Sequence, residues 1–340
     1  MEEISKQFKG LTRRKASFLL LLAAVLFCVA LVALTRGPAS VGFKGTFTAL
    51  FGDSGTAHAI IWKLRLPRII MAILTGSGLA LAGTVFQAIL RNPLASPYTL
   101  GIASSAGFGA VTAIVFGAGF CSEYHIAGSA FIFALISSFF ILGIARLKGS
   151  TPETMILAGI AIMFLFSSLS SLFQYMGTMQ EVQEIVFWFF GSLSKVGWGE
   201  ICMAGAMILL PAPVLIKWSW DFNLLAGGDD SAKALGVNVE SIRRYGIVLA
   251  SLVTAGAICF TGVIGFVGLV SPHITRMVIG SDHRFLLPSS MLTGAILVLS
   301  ADTLGRTLWP PQVIPIGIVT SFIGVPFFLY LLMKRERDYW

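Results

Sequence analysis

Apolar residues run along this chain in long blocks, and the few charged residues fall between the blocks. Between Lys15 and Arg36 lie 20 uncharged residues, and between Arg68 and Arg91 lie 22. About 20 apolar residues in a helix cross the hydrocarbon core of a bilayer, so each block predicts a membrane span. The block 92–122 is longer, but it opens with Asn92-Pro93-Leu94-Ala95-Ser96-Pro97. Two prolines this close do not start a membrane helix, so the opening is a loop and the third span begins near Tyr98. Spans follow at 125–145, 154–180 and 201–216. Residues 245–275 are 31 uncharged positions. One straight helix of that length would reach roughly 46 Å, beyond a core of about 30 Å. Gly262, Gly265, Gly268 and Pro272 interrupt it. The pattern therefore predicts two spans with a break near Thr261-Gly262, the second running to about Gly280. Blocks 285–301 and 313–333 bring the expected total to about ten.

Orientation follows from where the cations fall. Ten spans put both termini on one side, which then holds 17 of the 24 Lys and Arg, among them Lys15, Arg91, Lys217, Arg243, Arg244 and Arg335. The other side holds 7, including Arg36, Lys195 and Arg306. Both termini are expected to be cytoplasmic. The expectation is an all-α polytopic membrane protein, with residues 1–340 as one permease domain. Within it, residues 1–15 and 334–340 are cytoplasmic tails and 217–244 is a cytoplasmic loop.

Composition sharpens this reading. Hydrophobic residues make up 56% and charged residues 12% of 340 positions, with 36 glycines and a mean hydropathy of +0.86. So little charge could not coat a soluble domain of this size, and it excludes a disordered chain. The net charge of +8 is explained by topology, without a nucleic-acid partner. Cys28, Cys121, Cys202 and Cys259 lack metal-ligand spacing and read as small apolar residues. Lys9, Arg13, Arg14 and Lys15 before the first block look like the start of a signal peptide. No small-residue cleavage motif ends that block, so a retained span is expected.

At an offset of 179 residues, Arg65 matches Arg244, Gly83 matches Gly262, Leu90 matches Leu269 and Pro93 matches Pro272. Five spans would separate such halves, giving an inverted repeat of the kind transporters use. The longest loop between spans, 217–244, contains Gly228-Asp229-Asp230-Ser231-Ala232-Lys233-Ala234-Leu235-Gly236. The acids suit a helix N-terminus and Gly236 a helix stop, which predicts a short helix followed by another from Val239. Such a helix is either a passive connector or a plug for a partner's groove.

Several stretches now combine. They are Arg65-Leu66-Pro67-Arg68, Gly83 with Asn92-Pro93-Leu94-Ala95, the 228–236 helix, and Gly265-Phe266-Val267-Gly268-Leu269-Val270-Ser271-Pro272-His273. Asp282-His283-Arg284, Leu287-Pro288, Pro315-Ile316-Gly317-Ile318-Val319-Thr320 and Gly324-Val325-Pro326 follow in order. The ordered set resembles the iron-chelate and cobalamin importer permease family of ABC transporters, over roughly residues 16–335. The resemblance implies a type II importer permease fold of ten helices, working as a homodimer in the cytoplasmic (inner) membrane. It also implies two cytoplasmic ATPase subunits and an extracytoplasmic substrate-binding protein as partners.

By the same resemblance, Arg65, Arg68 and Arg306 match arginines that receive acidic residues of the binding protein. Snorkelling anchors are the general alternative, but cations on the outer side run against the charge trend. Asp229, Ala232, Lys233, Leu235 and Gly236 match the family's coupling helix, which rests in a cleft of the ATPase. The chain has no Gly-x-x-x-x-Gly-Lys-Ser/Thr loop, so ATP is expected to be used by the partner, with no cofactor on this chain and no catalytic residue. The fifth and tenth spans are the expected pathway. Ser167, Ser171 and Gln174 fall on one face of the fifth, where lining and interhelical packing account for them equally well. Asn92, Pro93 and Leu94, with Thr151 and Pro152, match the cytoplasmic gate, although Glu153 departs from the small neutral residues common there. The segment 183–194, with Phe187-Trp188-Phe189-Phe190, is too short to span and is expected outside.

No metal site is expected; His273 reads as a structural histidine. An intramembrane enzyme would need paired catalytic groups within spans, and Asp302 has no obvious partner in the sequence. An ion-coupled transporter would need ionisable residues at mid-membrane, and the spans hold almost none. The expected function is ATP-driven import of a bulky metal chelate, with ferric siderophore favoured and haem or cobalamin as alternatives.

Overall fold

The computed structural model describes residues 2–37, 42–52, 55–117 and 123–333. The C-terminal tail at 334–340, with Lys334, Arg335 and Arg337, and Cys121 lie outside the described residues. The first helices are α1 (Glu2–Thr35), α2 (Gly42–Phe51), α3 (Thr56–Ala59) and α4 (Leu66–Ile89), with one π-helical stretch, Ile60–Arg65, joining the last two. Then come α5 (Ile102–Phe116), α6 (Glu123–Lys148), α7 (Pro152–Met176) and α8 (Met179–Phe190). Next are α9 (Trp198–Leu209), α10 (Ala212–Lys217), α11 (Ser219–Ala226) and α12 (Asp229–Ala234). The chain closes with α13 (Val239–Ile258), α14 (Val267–Ile279), α15 (His283–Thr307) and α16 (Ile316–Met333). No strand occurs among the described residues, so the all-helical expectation is borne out.

Among the described residues, six helical segments are long and apolar enough to cross a membrane: Thr12–Thr35, Thr56–Ile89, Tyr124–Lys148, Pro152–Met176, Trp198–Lys217 and His283–Thr307. The shorter apolar helices Ile102–Phe116, Val267–Ile279 and Ile316–Tyr330, together with α13, stand at the other four predicted positions. Two boundaries differ from expectation. Residues 2–15, expected as a tail, are helical and continuous with α1; Glu, Lys, Gln and Arg there are good helix formers. The second predicted span begins earlier, at Thr56, so Arg65 and Arg68 stand within a helical run and not outside it.

At the centre is α4, which packs on α15, α13, α14 and α9. Lipid supplies no hydrophobic drive between helices, so close association needs small residues that bring backbones together. Gly76 meets the backbone of Gly294 on α15, and Gly83 meets the backbone of Gly268 on α14. A Cβ at either position would collide with a carbonyl group.

The chain breaks twice near this core. After α4, Asn92 Oδ1 accepts from the Leu94 backbone N–H at 2.8 Å, and Thr99 Oγ1 accepts from Ser96 N at 2.9 Å. After α13, Gly262 turns at φ +69 and Phe266 caps α14 in the left-handed region at φ +66. The second break is closed from outside, where Ser192 N donates to Thr261 O at 2.7 Å and Ile316 N to Gly191 O at 3.2 Å. Breaks at membrane depth persist only where protein satisfies the freed backbone groups.

The repeat suggested at an offset of 179 fails. It pairs Gly83, inside α4, with Gly262 in a turn, and Pro93, in a turn, with Pro272 inside α14. Gly83→Ala is expected to destabilise the helical core by about 1–3 kcal/mol, read as a lowered thermal midpoint of the detergent-solubilised protein.

Candidate translocation and coupling site

One end of the bundle gathers arginines around a single acid. Arg68 Nε donates to Asp302 Oδ1 at 2.8 Å, with its Nη2 at 2.7 Å from the same oxygen. Arg306 Nε lies 2.9 Å from Asp302 Oδ2, one helical turn away, as an ion pair whose geometry is not that of an aligned hydrogen bond. Arg65 Nη1 donates to Leu34 O, and Arg306 reaches the carbonyls of Arg36 and Ala33 at 3.3 and 3.4 Å. The arginines therefore serve the C-terminal end of α1, whose last carbonyls have no partner inside the helix and carry its negative dipole end. This corrects two expectations. Asp302 does have partners, brought 234 residues across the chain. Arg65 and Arg306, each 4% exposed, are turned inward and not held out as free docking cations.

The opposite end holds the loop helices. Of the expected coupling residues, Lys233, Leu235 and Gly236 are exposed, Leu235 at 66%. Gly236 takes φ +88 just past the last turn, as a helix stop requires. Ala232 is fully buried and faces its own chain, contrary to expectation. The Asp229 carboxylate is also turned inward, onto Arg243 through two bonds of 2.7 Å. Burial works to raise its pKa, but the hydrogen bonds and charge of Arg243 hold it below the ordinary carboxylate value. The turns expected as a gate stand close by. Leu94 is exposed and Pro93 half-buried; Thr151 caps α7 by accepting from Thr154 N, and Pro152 is buried.

A second cluster fixes α1, α11 and α15 together at this end. Asp282 caps α15 and accepts from Arg284 Nη2 at 2.7 Å and from Asn223 Nδ2 at 3.1 Å, with Lys15 Nζ at 3.4 Å. Arg284 stacks over Trp220, 4.2 Å from its ring centre. The Arg284 hydrogen bond drives the Asp282 carboxyl well below its ordinary value despite the opposing effect of burial, and Asn223 and Lys15 add to it.

Between these ends lies a cavity of about 780 Å³. Its walls are α16 (Gly317, Ile318, Ser321, Phe322, Val325), the second break (Val263–Gly265 and Phe266), the Ser96–Thr99 turn and the end of α8. The lining offers aromatic rings and hydroxyls, with the Tyr98 phenol its one ionisable group. Phe266 also packs against α16 at Gly324, where a Cβ would strike its ring. The expected tenth span thus lines the space. Ser167, Ser171 and Gln174 do not: the two serines are exposed on α7, with Ser171 Oγ donating to Ser167 O at 3.0 Å, and Gln174 is half-buried. Tyr98, Phe266 and Ser321 were missed as lining residues. The stretch Gly265-Phe266-Val267-Gly268, where glycines interrupt an overlong apolar block, was the available signal. A second cavity of about 500 Å³, across the break at 259–262, has a charged rim including Arg68, Glu184, Lys195 and Glu200.

An all-helical bundle with broken central helices, an uncharged cavity and a short exposed helix at one end defines a membrane-spanning transport subunit. The comparisons carry this further. The model of the FecCD transport family matches residues 20–334, and the chain belongs to that family. It is 40% identical over 288 residues to the cobalamin import system permease protein of Halobacterium salinarum, covering 84% of this chain and 76% of that one. It is 37% identical over 317 residues to the hemin transport system permease protein of Yersinia pestis, covering 91% and 95%. A solved structure described as an inward-facing metal-chelate type ABC transporter aligns with TM-score 0.84 at 34% identity, over 94% of this chain and all of that one. The chain is thus the permease subunit of a metal-chelate or vitamin ABC importer and not itself an enzyme.

Asp302→Asn is expected to leave the buried Arg306 and the half-buried Arg68 without their counter-ion and to destabilise the protein by about 3–5 kcal/mol, seen as a lowered thermal midpoint. Asp282 gives a pH prediction. Its depressed pKa makes its contribution complete above the ordinary carboxylate value of about 3.9. Stability should therefore hold at neutral pH and decline as the pH falls below about 4, with Asp282→Asn flattening that decline in a pH series of melting curves.

Proposed function

We propose that this chain imports a ferric siderophore across the cytoplasmic (inner) membrane, as a homodimer with two ATPase subunits and an extracytoplasmic binding protein. The observation that supports it is the uncharged, aromatic wall of the 780 Å³ cavity. A chelate that encloses its metal and presents a weakly polar surface passes such a wall without being held. Haem and cobalamin share that chemistry and are the alternatives. Residues 1–340 act as one permease domain with both termini in the cytoplasm. The chain binds no cofactor, and the ATP is hydrolysed by the partner subunits.

In this reading α12 is the coupling helix, and Leu235 and Gly236 are its outward contacts. The turns at Asn92–Leu94 and Thr151–Pro152 form the cytoplasmic gate, and α7 with Ser167 and Ser171 faces the partner copy. The binding protein docks at the end where Arg65, Arg68 and Arg306 hold the fold. Their charge acts there through the field of the cluster, because the side chains are engaged within the chain.

Uptake into proteoliposomes carrying the permease, its ATPase and its binding protein should require ATP and should favour a ferric siderophore over haem and cobalamin. Uptake driven by an ion gradient without ATP would overturn the reading. Leu235→Glu should leave the fold intact, since the side chain is exposed, and should abolish co-purification with the ATPase.

A further inference from the structure

Arg243 stands at the start of the second turn of α13, is 2% exposed, and reaches three separate parts of the chain. Its Nε donates to Ile89 O at 3.1 Å, the last residue of α4. Its Nη1 donates to Ser150 O at 3.0 Å, in the turn before α7. Nη1 and Nη2 together grip both carboxylate oxygens of Asp229, at 2.7 Å each, where α12 begins. Arg91 adds a looser contact to the same carboxylate at 3.7 Å. A planar guanidinium suits this fork, because its donors hold fixed directions.

The three attachments are not equivalent. Ile89 lies three residues before Asn92-Pro93 and Ser150 directly precedes Thr151-Pro152, so each carbonyl sits at the root of one gate turn. Asp229 belongs to the short helix whose outer side is exposed. The carbonyl bonds tie Arg243 to the permease body, and the carboxylate bonds tie it to the piece a partner would push. Two short charge-assisted bonds resist separation more than neutral ones do. A displacement of α12 is therefore carried to both turns through one side chain.

We propose that Arg243 is the positioning residue that transmits motion of α12 to the two turns at the cytoplasmic mouth, with Asp229 as its handle. This rests on the reading of α12 as the ATPase contact and of the two turns as the gate. Arg243 touches neither cargo nor nucleotide in this scheme. It acts by keeping three elements in one register.

The test uses the assembled complex of permease, ATPase and binding protein in proteoliposomes. Three readouts are taken: uptake, ATP hydrolysis, and the distance between spin labels at Leu94→Cys in the two permease copies, with and without ATP and vanadate. In the parent complex the label distance should change with nucleotide. In Arg243→Gln, ATP hydrolysis should persist while uptake per ATP falls by roughly 5- to 150-fold and the label distance stops responding. Arg243→Lys, which keeps the charge but not the fork, should recover part of the ratio. Asp229→Asn leaves the carbonyl bonds in place, and it decides the matter if Arg243→Gln fails to fold; its uptake per ATP should fall as well. A label distance that never responds in the parent overturns the gate reading and this inference together. A parent response that survives unchanged in Arg243→Gln or Asp229→Asn, or uptake and hydrolysis that fall in parallel, overturns the inference alone.

Discussion

The approach of α4 to its neighbours at Gly76 and Gly83 is the constraint on which the rest depends. Inside a bilayer, apolar side chains gain nothing by leaving lipid for protein, so packing and backbone proximity must hold helices together. At Gly83 the backbone of α4 lies against Gly268, the second residue of α14. That contact fixes where the broken segment restarts. The restart in turn sets Phe266, whose ring packs on α16 and walls the cavity. The cavity is thus shaped by two residues that have no side chains.

The same absence of water governs the charges. A guanidinium in this setting needs an anion or carbonyl oxygens. At one end, Asp302 and the terminal carbonyls of α1 meet that need. At the other, Asp229, Ile89 O and Ser150 O do so. Each arrangement joins elements far apart in sequence, so satisfying a charge also sets the relative position of helices. Within Thr12–Thr35 helix α1 is largely exposed or half-buried, yet Lys15 along its length and the arginine cluster at its C-terminal end tie it to the bundle.

The bundle was legible from the chain because charge spacing and apolar length follow from bilayer thickness alone. The break near Thr261-Gly262 was legible because glycines and an overlong block coincide there. The small helices α2, α3 and α11 were not, since each is too short to show a period and is held by tertiary contacts. The arginine cluster was half legible. Charge in an apolar setting marked Arg65, Arg68 and Arg306, but their partner lies more than 230 residues from Arg68, a separation no local pattern reports. Arg243 was hidden for a similar reason: in sequence it is one of two cations at a span's edge. The serines of α7 do not line the cavity within one copy: a polar face says only that something accommodates it, and for Ser171 a backbone carbonyl one turn back suffices.

The six residues of α12 and the Leu235 that caps it face two ways. Ala232 is sealed against its own chain, while Lys233 and Leu235 look out. The two faces answer to different histories. A change on the outer face can be matched by a change in whatever protein meets it, so that face is free to drift in concert with a companion gene. A change at Ala232 has no such companion, because the wall it fills is built from the core of the same molecule. In the proposed reading, substitutions confined to the outer face therefore alter the partner contact and leave the packing around Ala232 intact.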